Sequence, residues 1–210
     1  RDEAVRYSTA VTGYRNEQGT SADFYARGFV LRRQYDGVSL TTGGFSSIDF
    51  DMEIYDRVEI LRGPNGILQG ANSAGGSINL VRKRPQREFA LSGLLSAGSW
   101  NNYRAAIDIG GPLVESGAVR ARAVVVGYDR EYYYDAADGN QWTAYGIIEA
   151  DVTPTTTVAV SVGRQRLDRT PYFGTVGYVD GGYPDLPRST LLGADWALGR
   201  ARVNEYVVDA

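Results

Sequence analysis

The chain has 210 residues and contains neither cysteine nor histidine, which excludes disulfide frameworks, thiol nucleophiles, Cys/His zinc sites and catalysis by an imidazole base. Its 22 basic and 25 acidic residues leave a net charge of -3, so bulk positive charge does not indicate a nucleic-acid partner. The 26 glycines and 15 tyrosines favour a β-rich chain over a helical one.

The first region, from residue 1 to about residue 85, combines short apolar segments with dense glycine punctuation. Its pattern predicts strands at residues 24–30, 57–61 and 77–81. The acidic segment 48–55 predicts a short helix or turn, and residues 67–70 predict one helical turn. This pattern is typical of a compact α+β unit with many loops.

The second region, from about Glu88 onward, shows longer segments with a period of two residues. Five strands are predicted, at residues 89–97, 103–110, 118–128, 142–152 and 156–166. On the third of these, Arg120 and Arg122 fall on one face, while alanines and valines fall on the other. Strands of about 9–11 residues are long for a soluble sheet and have the length that a membrane β-strand needs.

The connections between these strands alternate in length. Those at 111–117 and 152–156 are short, whereas those at 129–141 and from 167 onward are longer and rich in Tyr and Asp. Short turns on one side and long loops on the other are the plan of an outer-membrane β-barrel. A soluble antiparallel sandwich also alternates, so periodicity alone leaves both architectures open.

Two motifs with a chemical meaning are incomplete. Residues 70–77 read GANSAGGS, but Gly76 stands where a phosphate-binding loop requires Lys. The acidic residues between positions 49 and 53 alternate like the start of a calcium loop, but Ile54 occupies the position of the required Gly. No nucleophile–base pair is visible in the sequence. We therefore expect that the chain is not an enzyme and binds no metal or cofactor directly.

Four segments resemble a known family in their order and spacing. They are FYARGF at 24–29, YDGV at 35–38, YDRVEILRGP at 55–64 and GGSINLVRKRP at 75–85. Together they closely resemble the plug domain of TonB-dependent outer-membrane receptors, especially the ferric-siderophore receptors. Residues 185–196, DLPRSTLLGADW, resemble a barrel loop of siderophore receptors, which favours iron over cobalamin or sugar.

The resemblance implies two parts. Residues 1–85 are expected to form a plug domain that is truncated at its N-terminus. Residues 86–210 are expected to form about the first five strands and loops of a 22-stranded β-barrel, truncated at the C-terminus. The expected fold class is thus an α+β plug domain followed by antiparallel transmembrane β-strands, an incomplete part of the barrel. The chain is therefore expected to be a fragment.

The resemblance also implies function and partners. A ferric siderophore is expected to bind from outside, between the plug apex and the extracellular loops, and TonB then drives plug movement. Iron stays coordinated by the siderophore, so it is carried without a protein cofactor. The expected partners are a ferric siderophore, TonB and outer-membrane lipid, with no nucleic acid. The expected location is the outer membrane of a Gram-negative bacterium.

Five residues are predicted to bind the ligand through this resemblance: Arg27, Thr42, Gly43, Phe45 and Tyr133. Arg27 matches the Arg-Gly-Phe element of the family, and a guanidinium suits the anionic or carbonyl oxygens of a siderophore. The alternative role of the Arg27 side chain is an ion pair with a buried carboxylate of the plug or the barrel. Thr42, Gly43 and Phe45 lie in a predicted apical loop. The alternative is that this segment is an ordinary loop without contact to the ligand. Tyr133 is one of three consecutive tyrosines. They are expected either to stack on a ring of the ligand or to lie at the membrane interface.

Several charged residues have structural interpretations. Around one plug strand, Arg57, Glu59 and Arg62 are expected to hold the plug to the barrel wall. Glu149 and Asp151 are expected to compensate the two lumen-facing arginines of the neighbouring strand, or arginines of the plug. The residues themselves also leave a second class of protein open. This is a soluble β-rich module that binds a ligand or carbohydrate, or serves adhesion, with a closed core.

Overall fold

The computed structural model describes residues 8–15, 22–39, 50–63, 74–135, 137–170, 182, 185–190 and 201–209. The chain divides into two compact units, Arg1–Lys83 and Arg84–Ala210, here termed unit 1 and unit 2. Within the described ranges, no helix has the length and hydropathy that crossing a membrane requires.

Unit 1 is built from short strands in two sheets. The first sheet is antiparallel and has the order β1 (Val11–Arg15), β2 (Ala22–Ala26), β3 (Phe29–Val30). The second has the order β5 (Val38–Ser39), β4 (Arg32–Tyr35), β7 (Gly76–Arg82), β6 (Tyr55–Arg62). Only the β4–β7 pair in this sheet is parallel. A 3₁₀ helix at Met52–Ile54 precedes β6, where the sequence predicts a short helix or turn.

The prediction of a single strand over residues 24–30 is wrong, because a tight turn divides it into β2 and β3. Arg27 and Gly28 form this turn with φ values of 52° and 83°. Two successive positive φ angles define the type I′ turn that is favoured in two-residue hairpins. Asp36 and Gly37 make the same turn between β4 and β5, at 49° and 85°. The strands predicted at 57–61 and 77–81 are confirmed as β6 and β7, and the helical turn predicted at 67–70 lies outside the described residues.

The start of β7 requires glycine at two positions. Gly76 has a φ of 107°, and a Cβ added there would lie 2.0 Å from the carbonyl oxygen of Leu61. A Cβ on Gly75 would lie 2.7 Å from the carbonyl oxygen of Phe29. Both distances are shorter than any real Cβ contact with backbone, so these glycines let three segments of unit 1 pack closely. The apolar core beside them contains Phe24, Ala26, Leu31, Phe50, Ile54, Tyr55, Ile78 and Leu80.

Unit 2 is one antiparallel sheet in which each strand pairs with its neighbours in the chain. Its strands are β8 (Ala90–Gly98), β9 (Asn102–Pro112), β10 (Val119–Glu131), β11 (Asp138–Thr153), β12 (Thr156–Arg169) and β13 (Ala201–Asp209). The five predicted strands are confirmed, and β13 is an addition. The loop predicted at 129–141 is mostly strand, because Asp129 pairs with Asn140 and Glu131 with Asp138. Only residues 132–137 remain to connect β10 and β11.

The two faces of this sheet differ in chemistry. The polar face buries hydrophilic side chains, among them Asp108, Arg120, Thr143, Glu149, Ser161 and Gln165. The apolar face exposes large hydrophobic side chains, among them Leu91, Leu95, Ile107, Val125, Ile148, Val158, Val160, Val162 and Val208. Alternation in a soluble sheet places the apolar side chains inside. Here the second face exposes a continuous apolar surface instead, which is the arrangement of a membrane barrel wall that faces lipid with its apolar side.

Candidate ligand-binding site

One end of the unit 2 sheet, here termed the loop end, brings three connecting segments together. They are the turn at 99–101, the connection at 132–137 and the segment 185–190. The Glu131 N–H donates to the Trp100 carbonyl at 2.9 Å, and Asn101 Nδ2 donates to Glu131 Oε2 at 3.0 Å. The Asp135 N–H donates to the Ser189 carbonyl at 2.7 Å. These two backbone hydrogen bonds and one side-chain hydrogen bond hold the three segments together.

Four aromatic side chains form a cluster at the loop end. The rings of Tyr132 and Tyr134 are stacked, with centroids 5.2 Å apart. Tyr133 meets Tyr134 edge to face at 5.0 Å and Trp100 at 6.4 Å. These separations lie in the range where aromatic pairs attract each other beyond simple burial. The aromatic cluster, comprising these four residues, is therefore held in a defined geometry while Tyr133 stays 51% exposed.

Two arginines add positive charge to the aromatic cluster. The Arg130 guanidinium lies 4.2 Å from the Tyr132 ring centroid and 5.4 Å from that of Tyr128, and it also donates to the Tyr132 hydroxyl. Arg188 lies 5.8 Å from the Tyr133 ring centroid. Both are cation–π contacts. A surface of exposed rings and fixed guanidinium donors suits a ligand with conjugated rings and anionic or carbonyl oxygens.

The structure describes only two of the five predicted ligand residues, Arg27 and Tyr133. Tyr133 lies in the aromatic cluster, whereas Thr42, Gly43 and Phe45 lie outside the described residues. Arg130 is not among the predicted ligand residues, although it lies on the same face as Tyr128 and Tyr132 because strand side chains repeat every two residues. This two-residue period is the signal in the sequence that indicates its position. The contact of Arg188 carried no such signal, since its segment is distant along the chain.

Arg27 occupies the first central position of the β2–β3 turn in unit 1. Its positive φ of 52° is uncommon outside glycine, and its side chain is exposed. Among the residues that the structure describes, no carboxylate lies within ion-pair distance of its guanidinium. The buried ion pair expected as an alternative for Arg27 is therefore not formed with any of the described residues.

The opposite end of the polar face, here termed the turn end, carries an ionic network. Arg120 donates to both carboxylate oxygens of Asp151, at 2.6 and 3.0 Å, and to Glu149 at 3.4 Å. Glu149 also accepts from the Arg84 guanidinium, and Asp151 accepts from Thr157 at 2.7 Å. The prediction that the two carboxylates compensate Arg120 is confirmed.

Arg122, another predicted partner of these carboxylates, makes its described hydrogen bonds to different groups. Its guanidinium donates to both carboxylate oxygens of Asp108 on β9, at 2.8 and 2.7 Å, and to the Arg84 carbonyl at 2.9 Å. The register explains this choice, because Asp108 pairs with Val124 and therefore lies diagonally opposite Arg122 on the polar face. Bidentate pairs of this kind are stronger and geometrically more specific than hydrogen bonds between neutral groups.

The charged residues around β6 make their described contacts inside unit 1. Glu59 accepts from Arg57 Nε at 2.8 Å and from Asn79 Nδ2 at 2.9 Å. The Asn79 hydrogen bond, followed by the Arg57 hydrogen bond, lowers the pKa of Glu59. Arg62 donates to the Ser8 and Thr9 hydroxyls at 2.9 and 3.1 Å. Contacts to a barrel wall remain a prediction for these residues.

Comparison with known proteins agrees with these observations. Residues 2–77 match the family model of the TonB-dependent receptor plug domain. The chain is also 39% identical, over 99% of its own length, to the ferric-pyoverdine M114 receptor PbuA of Pseudomonas sp. (strain M114). The chain belongs to the TonB-dependent receptor family. It spans about a quarter of the length of its curated relatives, 26% in the case of PbuA.

The TonB-dependent receptor assignment extends to the fold. The structure of the pyoverdine outer membrane receptor FpvA from Pseudomonas aeruginosa PAO1, bound to pyoverdine, superposes with a TM-score of 0.83 at 37% identity. That match covers 99% of this chain and 31% of FpvA. It confirms the predicted fold class, a plug followed by strands of a barrel, and the Gram-negative outer membrane as its location. The relatives are receptors, which confirms that the chain is not an enzyme.

Proposed function

We propose that the full-length protein containing this chain takes up ferric siderophores of the pyoverdine class through the outer membrane, powered by TonB. One observation carries the proposal: the 39% identity to a ferric-pyoverdine receptor covers 99% of the chain, and so includes both units. The ferripyoverdine receptor of Pseudomonas aeruginosa is likewise 39% identical over 93% of the chain.

The loop end provides the chemistry for such a ligand. The exposed ring of Tyr133 offers a stacking surface, and Arg130 and Arg188 hold guanidinium groups beside the rings. A ferric siderophore presents rings and metal-bound oxygens, which these groups can contact without displacing a ligand of the iron. From unit 1 we assign Arg27, with its exposed charge, and the loop residues Thr42, Gly43 and Phe45 as further contacts. Iron is the cargo in this scheme and stays coordinated by the siderophore.

The two faces of unit 2 serve transport in different ways. The apolar face contacts outer-membrane lipid, and the polar face lines the lumen through which the siderophore passes. The protein forms and breaks no covalent bond. Binding orients the siderophore, and work delivered by TonB then rearranges the plug so that the ligand is released inward. The exposed apolar face argues against the alternative of a soluble binding module, since such a module buries its apolar side chains.

Iron uptake in cells tests this proposal. The full-length gene is introduced into a bacterium that lacks its own pyoverdine receptor, and radiolabelled iron is supplied as ferripyoverdine. We expect accumulation of iron with the gene, background uptake without it, and background uptake again when TonB is deleted. Uptake that continues without TonB, or that never exceeds background in cells with receptor in the outer membrane, contradicts the proposal.

A further inference from the structure

Three arginines of β10 lie on the polar face of unit 2, and they differ in their partners. Arg120 and Arg122, toward the turn end, each donate to both oxygens of one carboxylate. Arg130 lies at the loop end of the same strand and forms no ion pair within the described ranges. It donates to the Tyr132 hydroxyl and lies over the rings of Tyr128 and Tyr132. Side chains of one type, on one strand and one face, thus pair with carboxylates at one end only.

One donor of Arg130 is buried and unused. Its Nε atom makes no hydrogen bond to any part of the chain that the structure describes. A buried N–H without an acceptor destabilises a fold, so native proteins keep few of them. An acceptor that arrives with a ligand offsets this cost. The unused donor therefore indicates that a bound group completes the surroundings of Arg130.

The neighbouring positions of the polar face supply no carboxylate. From β9 to β12, the two cross-strand rows nearest the loop end consist of Arg104, Tyr128, Gln141 and Leu167, then Arg130, Gly139 and Arg169. The carboxylates at this end of β10 and β11 are Asp129, Glu131 and Asp138. Alternation and register place these three on the opposite face of the sheet. An anion that approaches Arg130 along the polar face therefore meets arginine and uncharged residues in these rows.

The Tyr132 hydroxyl occupies the position beside Arg130 that an anion would take. It accepts from Arg130 Nη2, and its ring centroid lies 4.2 Å from the guanidinium. The β11 residue paired with Arg130 is Gly139, and a Cβ added there would lie 3.8 Å from the Tyr132 hydroxyl. No side chain of β11 therefore fills the space below this hydroxyl. A neutral hydroxyl is a weaker acceptor for a guanidinium than a carboxylate is, so a carboxylate can displace it.

We propose that Arg130 binds a carboxylate of the siderophore that does not coordinate the iron, and that this carboxylate displaces the Tyr132 hydroxyl from the guanidinium. The pairs of Arg120 and Arg122 indicate the ligand group, because both guanidinium groups take two oxygens of a carboxylate. The inference rests on the siderophore uptake proposed above and adds a specificity to it. The receptor prefers a ferric siderophore with a free carboxylate over the same siderophore with that group neutralised.

Equilibrium binding to the purified full-length receptor tests this exchange. The probes are a ferripyoverdine with one free carboxylate outside the coordination sphere of the iron, and the same compound with that group converted to an amide. The variants are R130Q, R130K and Y132F, with R164Q as the matched control. Arg164 also lies between two rings, 5.3 Å from that of Trp142 and 5.1 Å from that of Tyr206, but on the apolar face.

Wild type should bind the carboxylate form about tenfold more tightly than the amide form, as a charge-assisted contact implies. R130Q should bind both forms alike, with the affinity that wild type has for the amide, which also shows that the variant is folded. R130K should keep part of the preference, because Lys has the charge but not the fork, and R164Q should keep all of it. Y132F should bind the carboxylate form severalfold more tightly than wild type, because no hydroxyl has to be displaced.

The last variant separates the exchange from a merely structural role of Tyr132, which predicts unchanged or weaker binding. Equal, saturable binding of both forms by wild type overturns the carboxylate proposal and leaves siderophore uptake intact. A preference that persists in R130Q, or weaker binding of the carboxylate form by Y132F, also overturns it. Saturable binding of neither form by folded wild type overturns the uptake proposal together with this one.

Discussion

Units 1 and 2 reach their structures by different means. Unit 2 consists of strands of 9 to 16 residues, each paired with its neighbour in the chain. Unit 1 consists of strands of 2 to 8 residues, joined by turns with positive φ and packed around two glycines. In the long sheet, many equivalent contacts share the stability. In unit 1, a few backbone positions decide the fold, so single changes should act more severely there.

The largest effect is expected at Gly76. Its Cβ would collide with the Leu61 carbonyl, and its φ is positive, so G76A should destabilise the receptor by at least about 3 kcal/mol. The matched change in unit 2 is G146A, where nothing lies within 4 Å of the added Cβ, and it should stay within about 0.5 kcal/mol of wild type. Urea unfolding of the full-length receptor measures both. Similar losses for the two variants would remove the contrast between the units.

The next largest effect is expected in the ionic network at the turn end of unit 2. R120M removes the guanidinium that contacts Asp151 and Glu149, and it leaves two carboxylates close together without that partner. The melting temperature of the receptor should fall, and R120K should recover only part of the loss because Lys lacks the bidentate fork. An unchanged melting temperature for R120M would show that other groups hold these carboxylates.

Ligand affinity should depend on the aromatic cluster of unit 2. Y133A removes a ring that contacts Trp100, Tyr134 and Arg188 and should weaken ferripyoverdine binding about tenfold. Y103A is the matched control, because Tyr103 is a tyrosine of similar exposure on the apolar face. Titration of the full-length receptor should separate them. Equal affinities for Y133A and wild type would exclude Tyr133 from the site.

On the side of unit 1, R27A should weaken ferripyoverdine binding severalfold, because one exposed charge–oxygen contact contributes less than a stacked ring with its cation. R32A serves as the control, since Arg32 is an exposed arginine on β4 of the same unit. Lost affinity in both variants would indicate a general charge effect. Wild-type affinity in R27A would leave ligand recognition to unit 2 and the loops.

The smallest effect is expected at Glu59. Hydrogen bonds from Asn79 and Arg57 lower the pKa of this carboxyl in the folded state. Its contribution to stability is therefore present above the unfolded pKa of about 4.3 and is lost as the pH falls through the lower folded value. E59Q should be slightly less stable than wild type near neutral pH and equal to it at acidic pH. A difference that does not change with pH would show that ionisation of Glu59 plays no part.

The contrast between the units also explains what the sequence could predict. Alternation located β8 to β12 and the faces of Arg120 and Val160, because each strand side chain repeats its environment every two residues. It missed the division at Arg27 and Gly28, since a type I′ turn at Arg-Gly lacks the usual Asn-Gly or Asp-Gly signal. The partner of Arg122 depended on register across strands, and the contact of Arg188 with Tyr133 depended on a distant segment. Neither is encoded in local pattern.

Competition binding to the full-length receptor tests the central claim most directly. Purified receptor is loaded with ferripyoverdine, and unlabelled ferric siderophores of the pyoverdine, catecholate and hydroxamate classes are added in turn. We predict saturable binding that excess ferripyoverdine displaces, with the other two classes at least about tenfold weaker. Displacement by all three classes alike, or no saturable binding by a folded receptor, would contradict the proposal that the full-length protein takes up ferric pyoverdine.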